Sequence, residues 1–335
     1  MFAKAIAIPA ILALAQQVQA DVWTTVYETH YVTMGVNPPA ATAAPVVVVP
    51  PPQTTLVTLV RPAPQENAEE AGDSDEAADA APTQNANLAA DAATFAKRGI
   101  AYNDVTLANT MAKDCPNCGW TYNWDSASAG VAKRLNYIPM LWSDRSDHVQ
   151  NWNANANAAI KAGSTALFSF NEPDNKGQAA MSPDYAAKKH IQYMNPFKGK
   201  ALIGAPAVTN SGNPGEGIEW LKSFLSSCKT EGGCTVDFCN VHWYSGAQYS
   251  ETLFTHLDAA HKACANKPIW LTEFAPTGAS DADTVTFLNN VLPRLEKLTY
   301  LHAYAYFMTK KGSLMDNQGG LSTYGKTYAA HAKGA

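Results

Sequence analysis

Two glutamates stand where proton-transfer and nucleophilic chemistry could be built. The apolar run Ala166-Leu167-Phe168-Ser169-Phe170 ends in Asn171-Glu172-Pro173-Asp174, and Pro268-Ile269-Trp270-Leu271-Thr272 ends in Glu273-Phe274. Each run reads as a buried strand, so each glutamate falls where a strand meets its loop. One such glutamate is ordinarily a solvated strand terminus. Two of them, at the ends of the fourth and seventh strands of a repeating pattern, form a candidate pair. A carboxylic acid that protonates a leaving oxygen, with a carboxylate on the opposite side of a sugar ring, is what breaking a glycosidic bond requires. With Glu273 ionised, its negative charge favours the protonated form of Glu172 as the acid. Asn171 adds an amide that can hydrogen-bond a sugar hydroxyl beside a scissile bond.

A second cluster follows the sixth strand, Asn240-Val241-His242-Trp243-Tyr244. His242 and Tyr244 share parity and point the same way from the strand. A strand histidine is more often a structural hydrogen-bonding residue than a catalytic one. Here it is expected to orient a carboxylate or bind sugar, and Tyr244 to hold the charge of the nucleophile. Aromatic side chains gather at other strand ends: Tyr102, Tyr122, Trp124, Trp142, Tyr306 and Phe307. Any one of them can be core, but together they offer faces on which the C–H side of a sugar stacks. Asn103 and Asp104 are candidate hydroxyl binders.

These residues need a scaffold that brings strand ends together. From Gly99 onward, short apolar runs near 100–103, 119–123, 136–141, 166–171, 201–205, 237–243, 268–273 and 301–307 alternate with helical stretches. Helices are predicted near 126–134, 147–161, 183–196, 216–227, 251–265, 281–297 and 324–332. The first link, around Leu107 to Lys113, reads as mostly loop. Eight strands separated by helices imply parallel pairing, because each crossover needs a helix. The length suits a closed (β/α)8 TIM barrel, whose sites lie at the C-terminal ends of the strands. A doubly wound open sheet is the alternative, but no Gly-rich phosphate or dinucleotide fingerprint follows the first strand.

The chain has 335 residues and a formal net charge of −5. The acidity is concentrated upstream of Gly99; the remainder is nearly neutral. Nucleic-acid binding, which needs clustered Lys and Arg, is therefore not expected, and an uncharged polymer suits the body better. Residues 1–20 read as a secretory signal, with Lys4 before an apolar core too short to span a bilayer. Residues 21–98 read as a disordered Pro/Ala/acidic tail. Lys97-Arg98, at its end, is either a processing site that leaves a mature domain beginning at Gly99 or an ordinary solvated pair. The six cysteines all lie beyond Gly99 and fit three disulfides in an oxidising compartment; the close spacing of Cys228 and Cys234 suggests one, and Cys239 faces the side where Cys264 should lie. A zinc site in which Cys115 and Cys118 join Cys228, Cys234, Cys239 and His242 is the alternative. The expected protein is a secreted monomer with no metal, cofactor, nucleic-acid partner or membrane span.

Taken as a set, the motifs resemble glycoside hydrolase family 128, which includes fungal β-1,3-glucanases and the alkali-sensitive linkage protein group. They are Lys97-Arg98-Gly99-Ile100-Ala101-Tyr102-Asn103, Trp120-Thr121-Tyr122-Asn123-Trp124, Pro139-Met140-Leu141-Trp142, Asn171-Glu172-Pro173-Asp174, Gly204-Ala205-Pro206-Ala207, His242-Trp243-Tyr244 and Trp270-Leu271-Thr272-Glu273-Phe274. The resemblance spans 99–335 in order. It implies a (β/α)8 fold, no cofactor, β-1,3-glucan as the substrate class, Glu172 as acid/base and Glu273 as nucleophile; the leading expectation is a retaining enzyme that cuts the glucan internally. It departs at the eighth strand, where Tyr304-Ala305-Tyr306-Phe307 stands in place of a sequence ending in tryptophan. Two other functions are compatible with parts of the pattern: a wall protein that binds β-glucan without cutting it, for which the carboxylate pair has no use, and a related glycosidase of different linkage.

Overall fold

The computed structural model describes residues 96–331. The predicted signal (1–20) and all but the end of the predicted tail (21–98) lie outside them. Eight strands form at the eight predicted positions: β1 Arg98–Tyr102, β2 Cys118–Tyr122, β3 Asn136–Tyr137, β4 Ala166–Leu167, β5 Leu202–Ile203, β6 Cys239–Ser245, β7 Ile269–Pro276 and β8 Leu301–Thr309. Six pair in the order β3-β2-β1-β8-β7-β6, and β4 pairs with β5. All these pairings are parallel. Single parallel bridges, Met140 to Phe168 and Gly204 to Phe238, join the free edges of the larger sheet to the smaller one.

The side chains form two cores, and strand parity decides which residue enters which. One contains strand and strand-flanking residues only, among them Ala101, Trp120, Tyr122, Phe168, Phe238, Trp270, Ala303 and Ala305. The other joins the opposite faces of the strands to the helices and includes Ile100, Tyr102, Val241, Leu271 and Tyr304. Close aromatic packing fills the first: Trp270 stacks on Phe238 at 4.6 Å and meets Trp120 at 5.3 Å.

The helices are α1 Val105–Asp114, α2 Ser146–Val149, α3 Trp152–Lys161, α4 Pro183–Tyr193, α5 Gly217–Thr230, α6 Ser250–Ala263, α7 Asp281–Lys297 and α8 Thr323–Ala330. Three expectations are corrected. The first link is a ten-residue helix, because Asp104 caps it by accepting from the backbone N–H of Thr106 at 2.8 Å and Leu107 at 3.3 Å, while Leu107, Ala108, Met111 and Ala112 supply a buried face. No helix forms over 126–134; Ala129 and Gly130 have φ of 52° and 90°, and Arg134 instead donates to the carbonyls of Ala112, Cys115 and Cys118. The helix expected over 147–161 is broken into α2 and α3 at Gln150-Asn151. Among the described residues no helix is long and apolar enough to cross a membrane.

All six cysteines are paired: Cys115–Cys118, Cys228–Cys234 and Cys239–Cys264. The last ties the start of β6 to the end of α6. The zinc alternative is thereby removed, since a thiolate ligand cannot also be a disulfide sulfur.

Lys97-Arg98 is neither a solvated pair nor an exposed processing site. Arg98 is the first residue of β1 and is fully buried. Its guanidinium pairs with Glu296 at 3.0 Å and donates to the Tyr304 hydroxyl and to the carbonyls of Tyr328 and His331. Lys97 donates to the carbonyls of Glu296 and Leu298. A cut after Arg98 would remove a side chain on which β1, α7 and α8 converge. Arg98→Ala should therefore lower the urea-unfolding free energy by about 3–5 kcal/mol, because Glu296 is left buried without its cation. Trypsin should spare this pair in the folded protein, and N-terminal sequencing of the mature chain should find a start upstream of Lys97.

Candidate active site

β7 carries one residue more than either neighbour requires. Against β6, Leu271 is opposite Val241 and Glu273 is opposite His242. Against β8, Leu271 is opposite Tyr304 and Phe274 is opposite Tyr306. Both registers place a bulge between Leu271 and Phe274. Strict alternation from the inward-facing Trp270 would send 272 and 274 inward; the extra residue turns the Glu273 carboxylate in instead.

Glu172 is fixed differently. The chain beyond β4 stays extended as far as Asn171, whose N–H donates to the Trp142 carbonyl at 2.9 Å, and the N–H of Glu172 donates to the Ala207 carbonyl at 2.8 Å. Glu172 has φ 41°, a conformation uncommon for a residue with a side chain and held only where the surroundings impose it. Two residues on, the buried Asp174 accepts from the N–H and hydroxyl of Thr209 and from the N–H of Gly217, the last at 2.9 Å. Gly217 opens α5 at φ 55°, where a Cβ would lie 2.3 Å from the Ser211 carbonyl oxygen. Asp174 thus fastens the loop bearing Glu172 to the loop after β5.

The two glutamates meet across His242. Its Nδ1 lies 2.8 Å from Glu172 Oε1 and 3.4 Å from Glu273 Oε2, and its Nε2 lies 3.1 Å from the Thr272 hydroxyl. Facing oxygens of the two carboxylates lie within 4.8 Å. Asn175 donates to Glu172 Oε2 at 3.3 Å. Glu273 receives the Tyr244 hydroxyl on Oε2 at 2.5 Å and the indole N–H of Trp124 on Oε1 at 2.7 Å. Tyr122 donates to the Thr272 carbonyl at 3.0 Å, bracing the bulge.

Burial pushes the Glu273 carboxyl above its ordinary range; the His242 charge pulls it down, Glu172 pushes it up, and the Tyr244 and Trp124 donors pull it down again, leaving it raised. Burial works to lower His242, but the Glu273 and Glu172 carboxylates outweigh it and the imidazole is raised. Burial, reinforced by Glu273, lifts the Tyr244 hydroxyl far above its usual range, so it remains a donor at any working pH.

Among the described residues, Glu172, His242 and Glu273 are the one acidic–imidazole group close enough to be considered for a metal. The donor set does not suit a cation. The imidazole is turned on the carboxylates, and an N–H and an O–H already point at the oxygens of Glu273.

The structure brings Glu172, Glu273, His242, Tyr244 and Trp124 into direct contact. Phe307 joins them through edge contacts with Trp124 and Tyr244, both at 5.6 Å between ring centres. Asn171 is buried beside Glu172, and its Oδ1 has no protein partner. Trp142 is half-buried, its carbonyl bonded to Asn171 and its ring under the Arg145 guanidinium at 5.2 Å. Asn103 is exposed at the end of β1. Tyr102 is corrected: it is fully buried in the helix-facing core, with its hydroxyl donated to the Ser128 carbonyl. Its neighbour Ala101 takes the inward position, so Tyr102 must face away. Asp104 spends its carboxylate on the α1 cap. Thr272, Asn175 and Asp174 were not singled out from the sequence, although two of them sit in the run Glu172-Pro173-Asp174-Asn175, where polar residues crowd one strand end.

A carboxylate pair at the ends of parallel strands, held by an imidazole and two aromatic donors, is an arrangement able to perform acid–base and nucleophilic chemistry. Residues 99–328 match the glycosyl hydrolase catalytic core family, and the protein is a glycoside hydrolase. The fold is similar to that of a curdlan-specific exo-β-1,3-glucanase of subgroup III of family 128 from Blastomyces gilchristii, at 36% identity and a TM-score of 0.65, covering 70% of this chain and 98% of that one. It is also similar to a subgroup I endo-β-1,3-glucanase from Amycolatopsis mediterranei in complex with laminaritriose, at 28% identity and a TM-score of 0.59, covering 70% and 98%. Alkali-sensitive linkage protein 1 of Schizosaccharomyces pombe is 29% identical over 258 residues, which is 69% of this chain and 44% of that protein. The chain therefore spans less than half the length of that curated relative. It belongs to glycoside hydrolase family 128.

His190 supports the strand that carries Glu172. Fully buried on α4, it contacts the Ser169 hydroxyl through Nδ1 at 3.0 Å and the Thr235 carbonyl through Nε2 at 2.8 Å. Burial pushes it down to about 4. A neutral imidazole of this kind contributes stability that is complete above its unfolded value of about 6.5 and is lost as pH falls towards about 4, with a slope of at most about 1.4 kcal/mol per pH unit. His190→Gln should be less stable than the parent at pH 7, and urea midpoints should show the difference narrowing by pH 4. A difference that stays constant with pH would show that His190 is not held neutral.

Proposed function

We propose that the protein is a secreted, retaining β-1,3-glucanase on a closed (β/α)8 barrel, with Glu172 as acid/base and Glu273 as nucleophile. The observation that carries this reading is the short gap between the carboxylates, with facing oxygens within 4.8 Å. Retaining glycosidases hold their carboxyl groups about 5–5.5 Å apart and inverting ones about 6.5–9.5 Å, the wider gap leaving room for a water. Glu273 then attacks the anomeric carbon while Glu172 gives its proton to the departing oxygen. A water, deprotonated by Glu172, releases the sugar from Glu273. Tyr244 and His242 hold one oxygen of Glu273. The buried, unpartnered Oδ1 of Asn171 suits a sugar hydroxyl, which would supply its missing hydrogen bond.

The substrate class rests on the β-1,3-glucanases the chain resembles. A closed barrel is consistent with the bridges that join the two sheets, and three disulfides support an oxidising, extracellular destination. Internal cutting of the glucan is our preferred mode. Chain-end cutting is the second reading, because the Blastomyces gilchristii relative at 36% identity is an exo enzyme.

Digestion of β-1,3-, β-1,4- and β-1,6-linked glucans should give products from the β-1,3 polymer alone. A ladder of oligosaccharides indicates internal cutting; glucose alone indicates chain-end cutting. NMR of the first-formed anomer should show retention, and an inverted product would overturn Glu273 as nucleophile. Glu273→Gln should abolish turnover while still binding glucan. Glu172→Gln should slow glucan cleavage by about 10²–10⁴-fold but spare formation of the glycosyl-enzyme from an aryl glycoside whose leaving group needs no proton.

A further inference from the structure

Trp124 is held with more care than a stacking surface requires. It follows β2 at φ 59°, a backbone conformation in which a bulky side chain is rare. Its ring packs against Tyr122 at 4.8 Å and meets the edge of Phe307 at 5.6 Å. This places the indole N–H 2.7 Å from Glu273 Oε1, while the Tyr244 hydroxyl takes Oε2. With one donor on each oxygen, the plane of the carboxylate is fixed. A sugar platform needs an aromatic face; it does not need the N–H aimed at a carboxylate.

We infer that Trp124 is a positioning residue for Glu273, its indole N–H fixing the orientation of the carboxylate and stabilising its charge in addition to any face it offers to sugar. The inference rests on Glu273 being the nucleophile. When Glu273 attacks, an oxygen lone pair becomes the bond to the anomeric carbon, the electrons of the glycosidic bond pass to the leaving oxygen, and Glu172 protonates that oxygen. The carboxylate loses its charge in the ester and regains it when water displaces the sugar. The N–H therefore does most for the free enzyme and for breakdown of the ester. The other groups facing Glu273 are Glu172 from the β4 loop, His242 and Tyr244 from β6, and Tyr122 from β2; from β8, the apolar Phe307 packs against Trp124 and Tyr244.

The test replaces Trp124 with 3-benzothienylalanine, which keeps the shape and face of indole but carries sulfur in place of N–H; unfolding curves and circular dichroism establish that the variant is folded. The acidic limb of the kcat/KM profile on β-1,3-glucan should move up by about one pH unit, the size expected from losing a hydrogen bond to a charged group. KM should rise no more than about twofold, and glycosyl-enzyme should accumulate as a burst with an activated aryl glucoside. A wild-type pH profile without a burst would overturn the inference. A carboxyl titration by carbon-13 NMR, assigned with Glu273→Gln, needs no substrate. An upward shift of Glu273 in the isostere supports the positioning role even if the wild-type protein proves inert on glucan, and an unchanged titration overturns it. Failure of the glucanase reading would appear separately, as inactivity of the wild-type protein.

Discussion

Two carboxylates buried within 4.8 Å of one another repel strongly in a medium of low polarity, and the rest of the site is arranged around that repulsion. His242 is the central answer, because its imidazole reaches both and is drawn towards its charged form by them. Thr272 meets the far side of the ring. The donors on Glu273 and the Asn175 amide on Glu172 take up lone pairs that water would otherwise serve. Removing His242 would alter the charge balance of the cluster, and removing any of the neutral donors would leave a buried carboxylate oxygen or imidazole nitrogen short of a partner.

The same constraint explains where the backbone departs from regularity. An ideal strand end would point Glu273 away from His242, and an ordinary extended residue would carry Glu172 out of reach. The bulge in β7 and the left-handed backbone at Glu172 correct these directions. Each is surrounded by bonds that hold it: Tyr122 on the Thr272 carbonyl, Ala207 on the Glu172 amide, and Asp174 across to Thr209 and Gly217. At these two positions the irregularity serves the direction of a carboxylate.

All eight strands were visible in the sequence because buried parallel strands are short apolar runs, and that pattern survives without tertiary knowledge. The glutamates were visible for the complementary reason, as charged residues at the ends of such runs. What escaped was direction. Tyr102 and Ala101 exchange roles with a one-residue change of parity. Asp104 could equally cap a helix or bind a hydroxyl until the apolar face of α1 is seen packed. The contact between Trp124 and Glu273 depends on a left-handed residue after β2 and a bulge in β7, neither marked by a glycine or proline at the position itself. Arg98 looked like part of a cleavage signal because its partners, Glu296, Tyr328 and His331, lie far along the chain.

That last distance has a bearing on how the domain is made. The Arg98 guanidinium meets the Tyr328 carbonyl across 230 residues, and β1 pairs with β8. At about 5–20 residues per second, a ribosome needs roughly 12–46 seconds to synthesise the intervening stretch. During that interval the first strand has no partner on its β8 side, and its cation must remain hydrated. Completion of the core is consequently a late event in synthesis, and the nascent chain depends on its surroundings to keep the early apolar strands from associating elsewhere.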